Sequence, residues 1–236
     1  MIADTKYVKE ILTDYDLLSV RCSEFDLSKH NKDAQEVILT LKNTLRANSE
    51  LVALSANQVG YATRIICLNF NGDIRTFVNP IITKASGFEL SREYCSSIPD
   101  KSFLVTRNST IEITYQTPMG KIQSVELVGL AARIMQHHLQ HLDGILISDI
   151  GLEVDEQFDN ASKEEQQEVI NMYLDSLDML KADIQKSIDN DPETQKVLDA
   201  VKFMESVRAG ETVVESIDLT DEEIEELKKV SDNVDS

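Results

Sequence analysis

Residues 129–142, Gly-Leu-Ala-Ala-Arg-Ile-Met-Gln-His-His-Leu-Gln-His-Leu, switch to helical spacing directly after a run of strand-like segments. They also carry three of the chain's four histidines. His137 and His141 are four residues apart, so on a helix both imidazoles project from one face. That spacing suits two ligands of one metal ion, as in H-E-x-x-H zinc sites; a purely structural pair has the same spacing. A metal site needs a third ligand, and Cys95 is the candidate because thiolates bind such metals well. As an ordinary residue, Cys95 would be a small buried hydrophobe. Two imidazoles and a thiolate leave a fourth position open, the arrangement of a catalytic rather than a structural site.

The surrounding pattern is mixed. Residues 33–49 read as an amphipathic helix, with Val37, Ile38, Leu41, Leu45 and the later Leu51 at helical intervals. Strand-like pieces follow at 63–70, before the turn signal Asn71-Gly72-Asp73, and then at 76–82, 102–107, 110–116 and 122–128. Asp143-Gly144 ends the histidine helix, and 145–149 reads as a short closing strand. One helix, several antiparallel strands and a second helix predict an α+β domain over residues 1–150.

Residues 151–236 differ in kind. They hold 25 acidic against 8 basic residues, a balance of −17 out of the chain's −19. Ser162-Lys-Glu-Glu165 has the form of a capping box. Behind it Tyr173, Leu177, Leu180, Ile184 and Ile188 mark one helix face. Asp191-Pro192 reads as a second helix start with Gly210 as its stop, and 220–229 as a third short helix. The segment is an acidic helical extension whose apolar face needs a protein surface, its own domain or a partner's. Its charge repels phosphate backbones, so nucleic acid is not an expected partner. The first twenty residues lack the apolar core of a signal peptide, and no stretch approaches a membrane span. Cys22, Cys67 and Cys95 are odd in number and far apart. The expected setting is therefore the reducing cytoplasm, with no membrane partner.

Three segments in order resemble the motifs of the peptide deformylases, metalloenzymes that remove the formyl group from nascent N-termini. Ala53-Leu-Ser-Ala-Asn-Gln-Val-Gly60 resembles the first motif's G-L-A-A-x-Q. Glu93-Tyr-Cys-Ser-Ser-Ile-Pro99 resembles E-G-C-L-S with its following Ile-Pro. Gln136-His-His-Leu-Gln-His-Leu-Asp-Gly-Ile-Leu146 resembles Q-H-E-x-D-H-L-D-G-φ-L. Val78-Asn79-Pro80 and Gly129-Leu-Ala-Ala-Arg133 fit as well. The similarity covers about residues 6–150 and leaves out the extension.

The resemblance implies antiparallel sheets around a central metal-site helix. Cys95, His137 and His141 would be the ligands of iron, nickel, cobalt or zinc, which the donor set alone does not separate. Gln58 would donate to the formyl oxygen, the backbone N–H of Ser96 would join the oxyanion site, and Glu93 would support the second motif. The implied substrate is a formylated peptide. His138, however, stands where the family has the glutamate that takes a proton from the attacking water and passes it to the leaving amine. Loss of a positioned acid–base group costs on the order of 10²–10⁴-fold. Tyr94 and Ala53 replace glycines, Ser96 a leucine, and Gln140 an aspartate; Tyr94 and Ala53 are expected to crowd the peptide groove. The expectation is a deformylase-derived, metal-capable protein with little or no deformylase activity. It would be recruited for binding or assembly by a protein partner or self-association through residues 162–230. One alternative is an active divergent deformylase using His138. Because divergent members of the family occur in bacteriophages, the other is a structural subunit of a phage virion.

Overall fold

A computed structural model gives the structure of residues 3–27, 31–70 and 72–188. After a short helix α1 (Tyr15–Leu18), the amphipathic stretch forms α2 (Asn31–Ala47), with Ala34, Val37, Ile38, Leu41 and Leu45 buried. The strands are β1 (Ala53–Ser55), β2 (Ile65–Phe70), β3 (Asp73–Ser86), β4 (Glu89–Cys95), β5 (Ile98–Arg107), β6 (Thr110–Gln116) and β7 (Ile122–Val128). Five of them make an antiparallel sheet in the order β1-β2-β3-β6-β7. Helix α3 (Leu130–Leu142) follows, then the helical turn α4 (Ile147–Ile150) and strand β8 (Leu152–Val154). β8 joins β4 and β5 in a second sheet, ordered β4-β5-β8. The fold is α+β, as the sequence predicts.

The run Ile65-Ile66-Cys67-Leu68 is continuously apolar because helices cover both faces of its sheet. Ile66 and Leu68 pack with Phe77, Ile111 and Ile113 against Met135, Leu139 and Leu142 of α3. Ile65 and Cys67 pack with Leu54 and Val78 against α2. Alternation within a strand thus feeds two cores from one segment. α3 begins at Gly129, whose backbone (φ 57°, ψ −126°) lies in a region open essentially to glycine alone. It ends where Asp143 and Gly144 leave the helix. A side chain at 144 would have its Cβ 2.3 Å from the Ser19 carbonyl oxygen, so only glycine permits that approach.

Several features depart from the sequence reading, which has no strand at β1 or at β4, the strand that carries Cys95. β3 runs well past 76–82 and bends, with register shifts on either side of Ile81 and Ile82; just before the bend, Asn79 clamps the Phe25 backbone through both amide atoms. Residues 145–149 are not a strand. The Asp149 carboxylate accepts the Leu146 N–H at 2.7 Å, so a local cap turns this apolar stretch into α4. The third strand of the small sheet comes just after it, as β8, from residues grouped by charge with the extension.

The extension opens with α5 (Glu156–Asn160) and continues as α6 (Lys163–Ile188). Ser162 and Glu165 form the expected capping box, Ser162 N–H donating to Glu165 at 2.8 Å and Glu165 N–H to Ser162 Oγ at 3.3 Å. Gln166, Ile170 and Tyr173 are the half-buried residues in the first half of α6. The Tyr173 hydroxyl donates to the Ile150 carbonyl, docking this part of the helix on its own chain. The side chains of Leu177, Leu180, Ile184 and Ile188, and the helices expected from Asp191-Pro192 and over 220–229, lie outside the described residues. Among the described residues no helix is long and apolar enough to cross a membrane.

Candidate metal centre

β4 alternates strictly as it approaches the site. Ser91, Glu93 and Cys95 turn inward, while Arg92 and Tyr94 turn out. α3 brings His137 and His141 to the same place, one helical turn apart. A ligand atom from each of Cys95, His137 and His141 lies within 4.8 Å of the other two, and all three residues are buried. Cys95 Sγ is 3.2 Å from His141 Nε2. The three residues expected from sequence to share a metal are therefore together.

Surrounding groups orient these donors. Glu93 Oε2 lies 2.9 Å from His137 Nδ1. Burial alone would raise the Glu93 carboxyl, but its bonds with Arg107 and His137 outweigh that and hold it at about 2. An ionised carboxylate only accepts, so His137 carries a proton on Nδ1 and turns Nε2 toward Cys95. Its contacts with Cys95 and Glu93 outweigh burial and raise its pKa, and a bound metal would take the place of the proton on Nε2. Burial likewise pushes the Cys95 thiol up, yet its bonds with His137 and His141 bring it down to about 5, which favours the thiolate. A thiolate with two imidazoles, one of them held by a carboxylate, suits a divalent transition metal.

The histidine helix is held at its middle and near its C-terminal end. Gln136 exchanges hydrogen bonds with the Asn108 backbone at 2.9 and 2.8 Å, tying α3 to the β5–β6 turn. Asn57 donates to the His141 carbonyl at 2.6 Å, joining the first motif to α3. Gln58 is buried. Its amide oxygen accepts from Ser55, and its NH₂ points to the turn after Cys95, 3.4 Å from Ser96 Oγ and 3.2 Å from Ser97 Oγ. Gln58 and Ser96 thus stand side by side at the edge of the cysteine turn.

His138 is buried beside the trio without joining it. Its ring is 5.1 Å from that of His137 and 6.0 Å from that of His141, and its Nδ1 has no hydrogen-bond partner among the described residues. Burial first, then the neighbouring His137, His141 and Arg107, hold it well below the usual histidine range, so its imidazole is neutral. The crowding expected of Ala53 is absent. Its side chain lies in the core with Ile66 and Leu68, because β1 turns it under the sheet. Tyr94 is 70% exposed and walls a cavity of about 410 Å³ that adjoins Cys95.

Arg107 escaped the sequence reading. It lies at the end of β5 and forms a two-pronged pair with Glu93. Its only sequence signal is an arginine closing a strand whose inward-facing Phe103 and Val105 are apolar.

The model of the polypeptide deformylase family matches residues 8–156. The peptide deformylase of Pelotomaculum thermopropionicum is 37% identical over 114 residues, 48% of this chain and 74% of that protein. The solved structure of peptide deformylase from Thermotoga maritima matches with a TM-score of 0.57 at 28% identity, covering 61% of this chain and 97% of that one. A probable peptide deformylase from Synechococcus phage S-SSM7 matches with a TM-score of 0.54 at 32% identity, covering 60% and 97%. With its antiparallel sheets, its buried Cys-His-His trio and a match spanning well over half its length, the chain belongs to the polypeptide deformylase family.

Proposed function

We propose that Cys95, His137 and His141 hold a divalent transition metal, and that hydrolysis of formylated peptides at this site is strongly impaired. The observation that carries this is His138, a buried neutral imidazole with an unpartnered Nδ1, at the position expected to move the proton. When bound, the metal supplies Lewis-acid polarisation of a formyl carbonyl and a nucleophile near neutral pH. Gln58 and the backbone N–H of Ser96 then hold the carbonyl oxygen, with the Gln58 NH₂ already facing the cysteine turn. A proton released during attack must be held and handed to the leaving amine. An imidazole kept well below the usual range releases that proton too readily to store it, and a neighbouring cation lowers it further.

The extension supports a second role. Its −17 balance and the helical spacing of Leu177, Leu180, Ile184 and Ile188 in the sequence, beyond the Tyr173 dock, suit a protein contact, with a partner or a second copy, through residues 162–230. We place this chemistry in the cytoplasm, where formylated nascent chains arise.

The test is metal content and turnover of formyl-Met-Ala-Ser on one purified sample. We expect bound metal that Cys95→Ser removes, and turnover at least ~10²-fold below an ordinary deformylase. Wild-type turnover in the usual enzymatic range of ~1–10³ s⁻¹ would sink the impairment reading. Metal content unchanged in Cys95→Ser would sink the ligand assignment.

A further inference from the structure

Each nitrogen of the Arg107 guanidinium is engaged. Nε and Nη2 donate to the two oxygens of Glu93, at 2.6 and 2.8 Å, and Nη1 donates to Oε1 of Gln140 at 2.5 Å. Glu93 in turn meets His137 Nδ1 at 2.9 Å. Gln140 lies three residues after His137 and one before His141, so the chain of contacts Gln140–Arg107–Glu93–His137 starts and ends on α3. It crosses β5 and β4 on the way.

The geometry gives each link a separate task. A two-pronged bond sets the guanidinium and the carboxylate in one plane, but the pair can still rock as a unit against α3. The third bond, to Gln140, removes that freedom by fixing the guanidinium to the helix that carries both histidines. The direction in which Glu93 faces His137 is then set, and with it the tilt of the ring that aims Nε2 at the trio. Gln140 is uncharged, so it holds Arg107 while leaving the guanidinium's charge to Glu93.

We propose that Gln140 is a positioning residue of the Cys95–His137–His141 centre, acting through Arg107 and Glu93 on the orientation of His137. This rests on the metal reading given above. Outer partners of metal-ligating histidines commonly change affinity by 10–100-fold. Gln140 stands two contacts further out than Glu93, which puts its effect at the lower end.

The experiment titrates the metal-stripped full-length chain with Co(II) against a competing chelator, following the visible cobalt bands. Wild type, Gln140→Leu and Gln140→Glu are compared, with thermal melting of each. Gln140→Leu should bind Co(II) about 10-fold more weakly, with shifted bands. Gln140→Glu keeps an acceptor of the same reach and should return within about 3-fold of wild type. Gln140→Asn, one methylene too short to reach Arg107, serves should the leucine variant not fold, and should behave as leucine does. A leucine variant that melts earlier but keeps wild-type affinity and bands overturns the positioning role, as does a glutamate variant as weak as leucine. If the wild-type chain itself binds no Co(II), the metal reading falls and this role with it.

Discussion

Arg107 and Glu93 face each other as a planar pair with both side chains almost wholly buried, 2% and 6% exposed. Neither charge has enough water to survive alone, so each is the condition for the other's burial. Arg107→Leu should therefore destabilise the metal-free protein by about 3–5 kcal/mol, because it strands a buried carboxylate. Arg107→Lys should recover little, since an ammonium cannot match both oxygens at once. Denaturant unfolding of the three proteins measures this. A leucine variant within about 1 kcal/mol of wild type would show that Glu93 finds another cation or water.

Alkaline stability tests the other face of the large sheet. Cys67 is fully buried, and burial pushes its thiol up to about 11 despite the Thr76 hydroxyl 3.4 Å away. The folded state thus keeps a proton that the unfolded chain gives up near 9. Stability from this group is complete below about pH 9 and is lost as pH rises through 11. A gap of two units corresponds to roughly 3 kcal/mol. Unfolding free energy should fall more steeply over that window in wild type than in Cys67→Ala. Parallel slopes would place Cys67 in contact with water.

The contrast between these sites shows what a sequence exposes. Helical spacing alone puts His137 and His141 on one face, a relation that is local and therefore legible. Cys95 is found by its ligand chemistry and Glu93 through the motif resemblance; the two-residue alternation of β4 that turns both inward is not part of the sequence reading. Arg107 and Gln140 meet only because the end of β5 packs against α3, a contact across 33 residues with no periodic trace. Residues 145–149 misled for the opposite reason: an apolar, β-rich stretch was overruled by one short-range bond from Asp149. Ala53 looked like an obstruction in the motif, but β1 directs it into the core.

Activity should respond to position 138 ahead of any other. His138→Glu places a carboxylate where a neutral ring now sits without a partner for Nδ1. A carboxylate beside a metal can take a proton and give it back, which the present imidazole does poorly. Turnover of formyl-Met-Ala-Ser should rise by about 10-fold or more at equal metal content. Tyr94→Gly, which opens the cavity wall next to Cys95, should add to that gain rather than replace it. No change on His138→Glu, with metal retained, would mean that proton transfer is not what limits this site.

The extension should prove separable from the domain. Cutting after Asn160 keeps β8 and its pairing with Ser102, Phe103 and Leu104, so the small sheet stays whole. What is lost from the described contacts is the Tyr173 bond to the Ile150 carbonyl, the partial burial of Ile170 and Tyr173, and the bonds of Gln166 and the Ala161 N–H to the last carbonyls of α5. Carbonyls at the new chain end are taken over by water; the Tyr173 bond contributes about 0.5–1.5 kcal/mol, and the half-buried side chains add about as much again. That is well below the ~5–15 kcal/mol of a typical domain. Residues 1–160 should therefore melt cooperatively, a few degrees below the full chain. Tyr173→Phe should account for about 1 kcal/mol of the difference. Light scattering on the same samples addresses the proposed contact through residues 162–230, since a self-associating full chain should become monomeric when cut. A truncated chain that fails to fold would make α6 part of the core. Identical mass and identical copurifying proteins before and after the cut would reduce the extension to a solvated appendage.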